Sequence, residues 1–260
     1  MAGELQDRVA LVTGGGSGIG RASALAMAAQ GAGLVVVDRD LDAAAAVAAE
    51  VDPSGARVLP LDADVADPEA LTRVVEASVE RFGRIDAVHA NAAVQWFGDA
   101  LECTMEEWER TLAVNLTGVL HLARAVIPEF RRVGGGALIA TCSDCAIRTC
   151  NTAMAYTVAK TGLIGLIRSI AVDFGPDGVR ANLVTPGVTD TPGLRRLYSL
   201  GGSDPEDGIA RAAALSPLGR IGTPDDLGEV VAFLASDRAR FITGENVMVD
   251  GGMTVTYGAD

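Results

Sequence analysis

Lysine is almost absent from this 260-residue chain: of its 21 basic residues, all are arginine except Lys160. Codon bias explains most of such a skew. The one lysine nevertheless marks a place where a compact, titratable ammonium does what a planar, permanently charged guanidinium cannot. Positive charge is scarce as a whole. Against 34 acidic residues it leaves a net charge of -13, which disfavours a broad nucleic-acid-binding face or adsorption to an anionic membrane. A small anionic cofactor is still compatible, because backbone amides at a helix N-terminus bind it locally. Cysteine is sparse too: Cys103, Cys142, Cys145 and Cys150. Residues 1–7 are acidic and contain no apolar signal core, so the expected compartment is the cytosol and the cysteines are expected as free thiols. No apolar run reaches bilayer length on this reading. The 49% hydrophobic content is too high for disorder, and the length suffices for one large domain with a sizeable core.

Short Val/Ile/Leu runs alternate with longer Ala/Leu-rich amphipathic stretches. Strands are expected over 8–13, 34–38, 57–62, 87–90, 136–141, 180–184 and 246–249. Helices are expected over 18–30, 41–51, 68–82, 105–132, 153–174 and 225–235. That rhythm predicts an α/β fold: a single Rossmann-type domain with a doubly wound parallel sheet of about seven strands and helices on both faces. The strands are apolar throughout rather than alternating, as in a sheet buried on both sides. Residues 191–216 break the rhythm with polar, irregular sequence and read as a substrate-binding lid.

The first strand runs into Thr13-Gly14-Gly15-Gly16-Ser17-Gly18-Ile19-Gly20, which opens the first helix. Glycines there let the backbone approach a pyrophosphate, and the helix N-terminus offers free amides. Gly14, Ser17, Gly18, Ile19 and Gly20 are therefore candidate cofactor contacts, against the alternative of a plain tight turn. The spacing is TGxxxGxG rather than GxGxxG. A Walker loop and a GxSxG elbow are excluded, since the lysine lies far away and Ile19 stands where the elbow needs glycine. Asp38 ends the second strand, placed to accept hydrogen bonds from an adenosine ribose and to repel a 2′-phosphate, which predicts NAD over NADP. Arg39 beside it is placed to bind such a phosphate, and a helix-cap role for Asp38 is the competing reading.

Tyr156 and Lys160 stand at i and i+4, on one face of a helix. A nearby ammonium favours the phenolate, so the phenol can exchange a proton with an alcohol. Ser143, thirteen residues earlier at a strand end, is placed to hold the substrate oxygen. With one lysine and three tyrosines in the chain, chance rarely produces this pair.

From about residue 8 to 252 the chain resembles the classical short-chain dehydrogenases/reductases. The resemblance rests on the glycine turn at 13–20, Asp38, Asp64-Val65, Asn91-Ala92, Asn115, Ser143, the Tyr156…Lys160 pair, Pro186-Gly187, Thr189 and Thr191. It implies NAD(P)-dependent interconversion of alcohols and ketones, and a homotetramer. It also implies that Asn115 anchors a proton path to Lys160, and that Asp64 and Val65 bracket the adenine. Asn91 and Ala92 would line the ribose and nicotinamide side, Val188 and Thr191 would lie near the carboxamide, and Tyr156 and Lys160 would meet the nicotinamide ribose. Two departures stand out. Ala93 replaces a usual glycine, and Cys142-Ser143-Asp144 replaces a usual serine pair and adds a charge.

Cys142, Cys145 and Cys150 resemble part of a metal cluster but lack a second CxxC, so no metal is expected. His89 and His121 read as satisfied structural residues. Trp96 and Phe97 read equally as a substrate-pocket wall or as packing, and Trp108 as core. The leading expectation is an NAD(H)-dependent secondary-alcohol dehydrogenase for a small-molecule substrate, without nucleic-acid or membrane partners. The alternatives are an NADPH-dependent 3-oxoacyl thioester reductase, for which Arg131, Arg132, Arg195 and Arg196 would have to offer a basic docking groove, and a non-catalytic dinucleotide sensor.

Overall fold

A computed structural model describes residues 3–202 and 204–256. Expectations that touch residues 1–2, Ser203 or 257–260 lie outside the described residues there. Seven parallel strands are ordered β3-β2-β1-β4-β5-β6-β7: β1 Val9–Thr13, β2 Gly33–Asp38, β3 Val58–Asp62, β4 Ala87–Ala90, β5 Gly136–Thr141, β6 Val179–Pro186 and β7 Asn246–Val249. The helices are α1 Gly18–Ala29, α2 Leu41–Val51, α3 Pro68–Phe82, α4 Met105–Leu112, α5 Gly118–Val133, α6 Met154–Phe174, α7 Pro192–Leu200, α8 Pro205–Leu215 and α9 Pro224–Ala235.

Successive residues of each strand feed opposite faces of the sheet. Leu11 and Val35 join one core with Leu122, Val126, Phe130, Leu163 and Ile167 from α5 and α6. Val12 and Val36 join the other with Met27, Val47, Leu227 and Val231 from α1, α2 and α9. Each fully buried aliphatic side chain contributes about 2 kcal/mol, so a polar residue in place of Leu34, Val35, Val36 or Val37 would be severely destabilising.

The helices start and stop where the sequence says they should. Asp67 accepts from the amides of Glu69 and Ala70, Pro68 occupies the first turn, and Gly83 closes α3 in the left-handed region. Capping boxes begin α4, with Thr104 and Glu107, and α9, with Thr223 and Asp226. One expectation needs correcting. The helical stretches Met105–Val133 and Met154–Asp177 are long and apolar enough to cross a membrane by length and composition. One face of each packs on the sheet, through Leu122, Val126, Leu163 and Ile167, while Leu120, Val158 and Val172 are exposed.

The strand order reverses between β1 and β4, whose last residues Thr13 and Ala90 pair directly. Ligands of open α/β sheets bind at the carboxyl ends of strands at such a switch point.

Candidate active site at the carboxyl edge of the sheet

The glycine turn lies at this switch point. Gly14 has φ +61°, a conformation that costs glycine nothing. A Cβ on Gly20 would fall 2.0 Å from the Gly14 oxygen and 2.7 Å from Asn91 Nδ2, so the turn accepts no side chain there. Ser17 occupies the N-cap of α1, yet its side chain caps nothing, and the first turn holds no acid. The leading amides of the helix at Gly18, Ile19 and Gly20 thus face a cradle shaped for an anion. A dinucleotide fits the residues present. Thr191 approaches the same point from the far side, its Cγ2 3.4 Å from where a Gly18 Cβ would stand. Its hydroxyl caps α7 by accepting from the Leu194 amide at 3.1 Å. Val188 is held beside it, its oxygen accepting from the Gly222 amide at 2.9 Å.

Asp38 reaches into the turn. Its Oδ2 accepts from the Gly16 amide at 3.0 Å, and its Oδ1 from the Asp40 amide at 3.2 Å. Arg39 is exposed. Asp64 accepts from the Ala66 amide and from Arg110, at 2.9 and 2.7 Å. Partial burial pushes its carboxyl up, but the Ala66 amide and the Arg110 guanidinium outweigh that and hold it below the usual range. Val65 is buried against Gly118.

Ser143, Tyr156 and Lys160 come together where β5 meets α6. Lys160 is buried, its Nζ donating to the Thr141 oxygen at 2.7 Å and lying 5.5 Å from the Tyr156 ring centroid. Burial lowers this lysine to about 8, a protonation balance unavailable to arginine. Burial holds the Tyr156 phenol well above its ordinary value, the Ser143 hydroxyl pulls the other way, and Cys142 and Asp144 push it further up. The Ser143 Oγ accepts from the Cys145 amide at 3.2 Å and donates to Asp144 at 3.2 Å. Asp144, itself buried, is paired with Arg148 at 3.0 Å.

Asn115 sits in a π-helical segment, Ala113–Thr117, between α4 and α5; such segments cluster at functional sites. Its side chain does not reach for Lys160. The Oδ1 accepts from the Val94 amide at 2.9 Å and the Nδ2 donates to the Val94 oxygen at 2.7 Å, which pins the loop after β4. Asn91 and Ala92 donate their amides to Thr13 Oγ1 at 3.1 and 3.3 Å. Ala93 is exposed, so its methyl meets no protein wall.

The cysteines depart from expectation. Cys103 and Cys142 are free thiols, but Cys145 and Cys150 form a disulfide with Cα atoms 5.2 Å apart. A short 3₁₀ turn over Asp144–Ala146 folds the chain back and brings the two within bridging range. Asp144 lies close enough to both sulfurs to suggest a metal cluster, but here the sulfurs hold each other. Trp108 is half-buried rather than core. Trp96 is exposed and lines an open concavity of about 300 Å³ with Thr104, Glu106, Glu107 and Arg110.

Fold and switch-point cradle together define a Rossmann-type domain with a place for a dinucleotide. A family model described as enoyl-(acyl carrier protein) reductase matches residues 14–254. The short-chain reductase protein NovJ of Streptomyces niveus is 39% identical over 95% of this chain and 94% of its own. The L-rhamnose 1-dehydrogenase (NAD(P)(+)) of a Sphingomonas species is 36% identical over 80% of each chain. The cyclohexanol dehydrogenase of an Acinetobacter species is 34% identical over 98% of each. The crystal structure of levodione reductase superposes with a TM-score of 0.91 at 36% identity, covering 97% of this chain and 100% of its own. The chain belongs to the short-chain dehydrogenase/reductase family and is an oxidoreductase acting on CH–OH groups.

Proposed function

We propose that the protein is an NAD(H)-dependent dehydrogenase of a secondary alcohol, with Tyr156 as acid/base. The observation that carries this reading is the chain's single lysine, buried beside Tyr156 with its Nζ fixed on the Thr141 oxygen. A nicotinamide dinucleotide anchored through its pyrophosphate at the glycine turn would supply the hydride acceptor. As the phenolate, which the Lys160 ammonium must favour against the burial that raises the phenol, Tyr156 takes the hydroxyl proton in oxidation; as the phenol it returns a proton to the ketone oxygen in reduction. Lys160, charged below about 8, favours the phenolate and offers its ammonium to the nicotinamide ribose. Ser143 orients the substrate oxygen, which must compete with Asp144 for the serine proton. Asn115 acts through the Val94 loop that it pins.

NAD is the cofactor the residues favour. The Asp38 carboxylate lies beside the Gly16 amide, where a 2′-phosphate would meet a like charge. Gly14, Ser17, Gly18, Ile19 and Gly20 would hold the pyrophosphate, Asp64 and Val65 the adenine, and Asn91, Ala92, Val188 and Thr191 the ribose and carboxamide. The α7–α8 segment serves as the lid. The Arg195–Glu206 pair at 2.6 Å and the Tyr198 ring against Gly208 bind it to itself, and no residue of α7 is fully buried. Cyclic secondary alcohols and their ketones are the substrates to try first, since the relatives include a cyclohexanol dehydrogenase and levodione reductase. The exposed apolar Leu120 on α5 and Val158 and Val172 on α6 suit a homotetramer. The cytosol is the compartment we assign on the acidic, non-apolar start of the chain; the Cys145–Cys150 bridge weighs against it, because thiols are kept reduced there.

An acyl-carrier thioester reductase fits less well. Arg131, Arg132 and Arg195 are each paired with carboxylates, on Asp177, on Glu129 and on Asp190 and Glu206, so they offer little free charge to an acidic carrier. The test is a thermal-shift titration with NAD⁺, NADH, NADP⁺ and NADPH. A ligand that binds only the native state raises the melting temperature. Stabilisation by NAD(H) alone supports the reading; stabilisation by NADP(H) alone returns the thioester reductase to the lead; no shift refutes dinucleotide binding.

A further inference from the structure

His89 lies in the middle of the sheet, fully buried on β4, and proton transfer makes no use of it. Its Nε2 is 2.8 Å from Thr141 Oγ1. The Thr141 hydroxyl in turn donates to Asn91 Oδ1 at 3.0 Å, and Asn91 Nδ2 donates to the Gly14 oxygen at 3.2 Å. The direction of each bond is forced. The Gly14 oxygen can only accept, so the Asn91 nitrogen must point to it and the Asn91 oxygen must point to Thr141. Thr141 has one proton and spends it there, so it must accept from His89. His89 is therefore the Nε2–H tautomer, and its Nδ1 carries a bare lone pair. That agrees with Nδ1 being buried without a partner.

We propose that His89 is a positioning residue for cofactor binding: through Thr141 it fixes the Asn91 amide and with it the shape of the glycine turn. The turn leaves the amide little room, since Nδ2 stands 3.1 Å from where a Gly14 Cβ would lie and 2.7 Å from where a Gly20 Cβ would lie. An Asn91 amide released by Thr141 is free to flip, putting its oxygen against the Gly14 oxygen and distorting the cradle. Protonation does not disturb the chain. Burial, helped by the Lys160 charge, lowers His89 to about 3, and a second ring proton would have no acceptor. The inference rests on the dinucleotide reading above and adds to it a control from the sheet interior.

The test is NADH binding, by fluorescence titration, to the parent protein, His89→Leu, His89→Gln, Thr141→Val and the His89→Leu/Thr141→Val double variant. Loss of one bond in a buried chain predicts a rise of about tenfold in the NADH Kd for His89→Leu and for Thr141→Val. His89→Gln, which keeps a donor, recovers most of it. The double variant is no weaker than the single ones, because both break the same chain. In turnover the loss appears in the KM for NAD⁺, with kcat within about threefold of the parent. Thr141→Val conserves volume and keeps the test available if His89→Leu does not fold. Single variants that bind NADH like the parent, additive losses, or a Gln variant no better than Leu overturn the proposal. A parent that binds neither NADH nor NADPH overturns the dinucleotide reading itself.

Discussion

The Lys160 ammonium lies 5.5 Å from the centroid of the Tyr156 ring, one helical turn away on α6, and is tethered to the Thr141 oxygen at 2.7 Å. Nothing else in the chain can take its place, because every other basic residue is arginine. Lys160→Arg puts a larger, planar, permanently charged group into a buried slot. We expect kcat to fall at least about 100-fold, as read by steady-state oxidation of a secondary alcohol that the parent turns over, with NADH still bound. Near-parental turnover would mean that any cation suffices there.

Cofactor choice should turn on Asp38. Its Asp38→Ala variant removes the carboxylate that sits on the Gly16 amide and leaves Arg39 exposed beside the pocket. The ratio of kcat/KM for NADP⁺ to that for NAD⁺ is expected to rise about 100-fold, the scale of roughly 2–3 kcal/mol for a removed like-charge contact. An unchanged ratio would place discrimination elsewhere.

The Cys145–Cys150 bridge closes the loop between Ser143 and Tyr156. Chain-entropy arguments assign a loop this short about 2 kcal/mol, or several degrees of melting temperature in a domain of this size. Dithiothreitol should lower the melting temperature of the parent by that amount. Cys150→Ser should start from the lower value and ignore the reductant. A parent indifferent to dithiothreitol would show that the bridge contributes nothing in solution.

His89 predicts an acid limb in stability. Its folded-state value of about 3 lies below the ordinary 6.5, so the unfolded chain takes up a proton that the folded chain refuses. Stability from this residue is full above pH 6.5 and is lost as pH falls towards 3, at up to about 1.4 kcal/mol per pH unit. Urea melts at pH 7 and pH 5 should differ by less for His89→Gln than for the parent. Equal pH dependence in the two would count against a neutral, buried His89.

Much of this molecule could be read from its sequence, because the relevant signals are local. Apolar runs of strand length bounded by helical stretches gave the sheet, and α3 spans 68–82 as expected because Pro68 and Gly83 punctuate it. That Tyr156 and Lys160 would be neighbours needed only helical periodicity, and the turn at Gly14 to Gly20 only its place between a strand and a helix. What escaped reading depends on contacts distant in sequence or on one extra residue in a helix. The stretch expected as one helix over 105–132 contains a π segment at Asn115, whose side chain is spent on Val94, 21 residues away. The disulfide depends on a turn of three residues. The chain from His89 through Thr141 and Asn91 to Gly14 joins the ends of three strands and has no sequence period at all. Trp108 is apolar enough for the core but sits on a helix only partly covered.

Tyr156→Phe, assayed beside the parent for NAD⁺-linked oxidation of a secondary alcohol that the parent turns over and for NADH binding, tests the central claim most directly. Removing one hydroxyl leaves the packing of α6 in place and takes away the proton acceptor. The account predicts turnover down about 1,000-fold with the NADH Kd within about twofold of the parent. Turnover within tenfold of the parent, with cofactor binding intact, would contradict it.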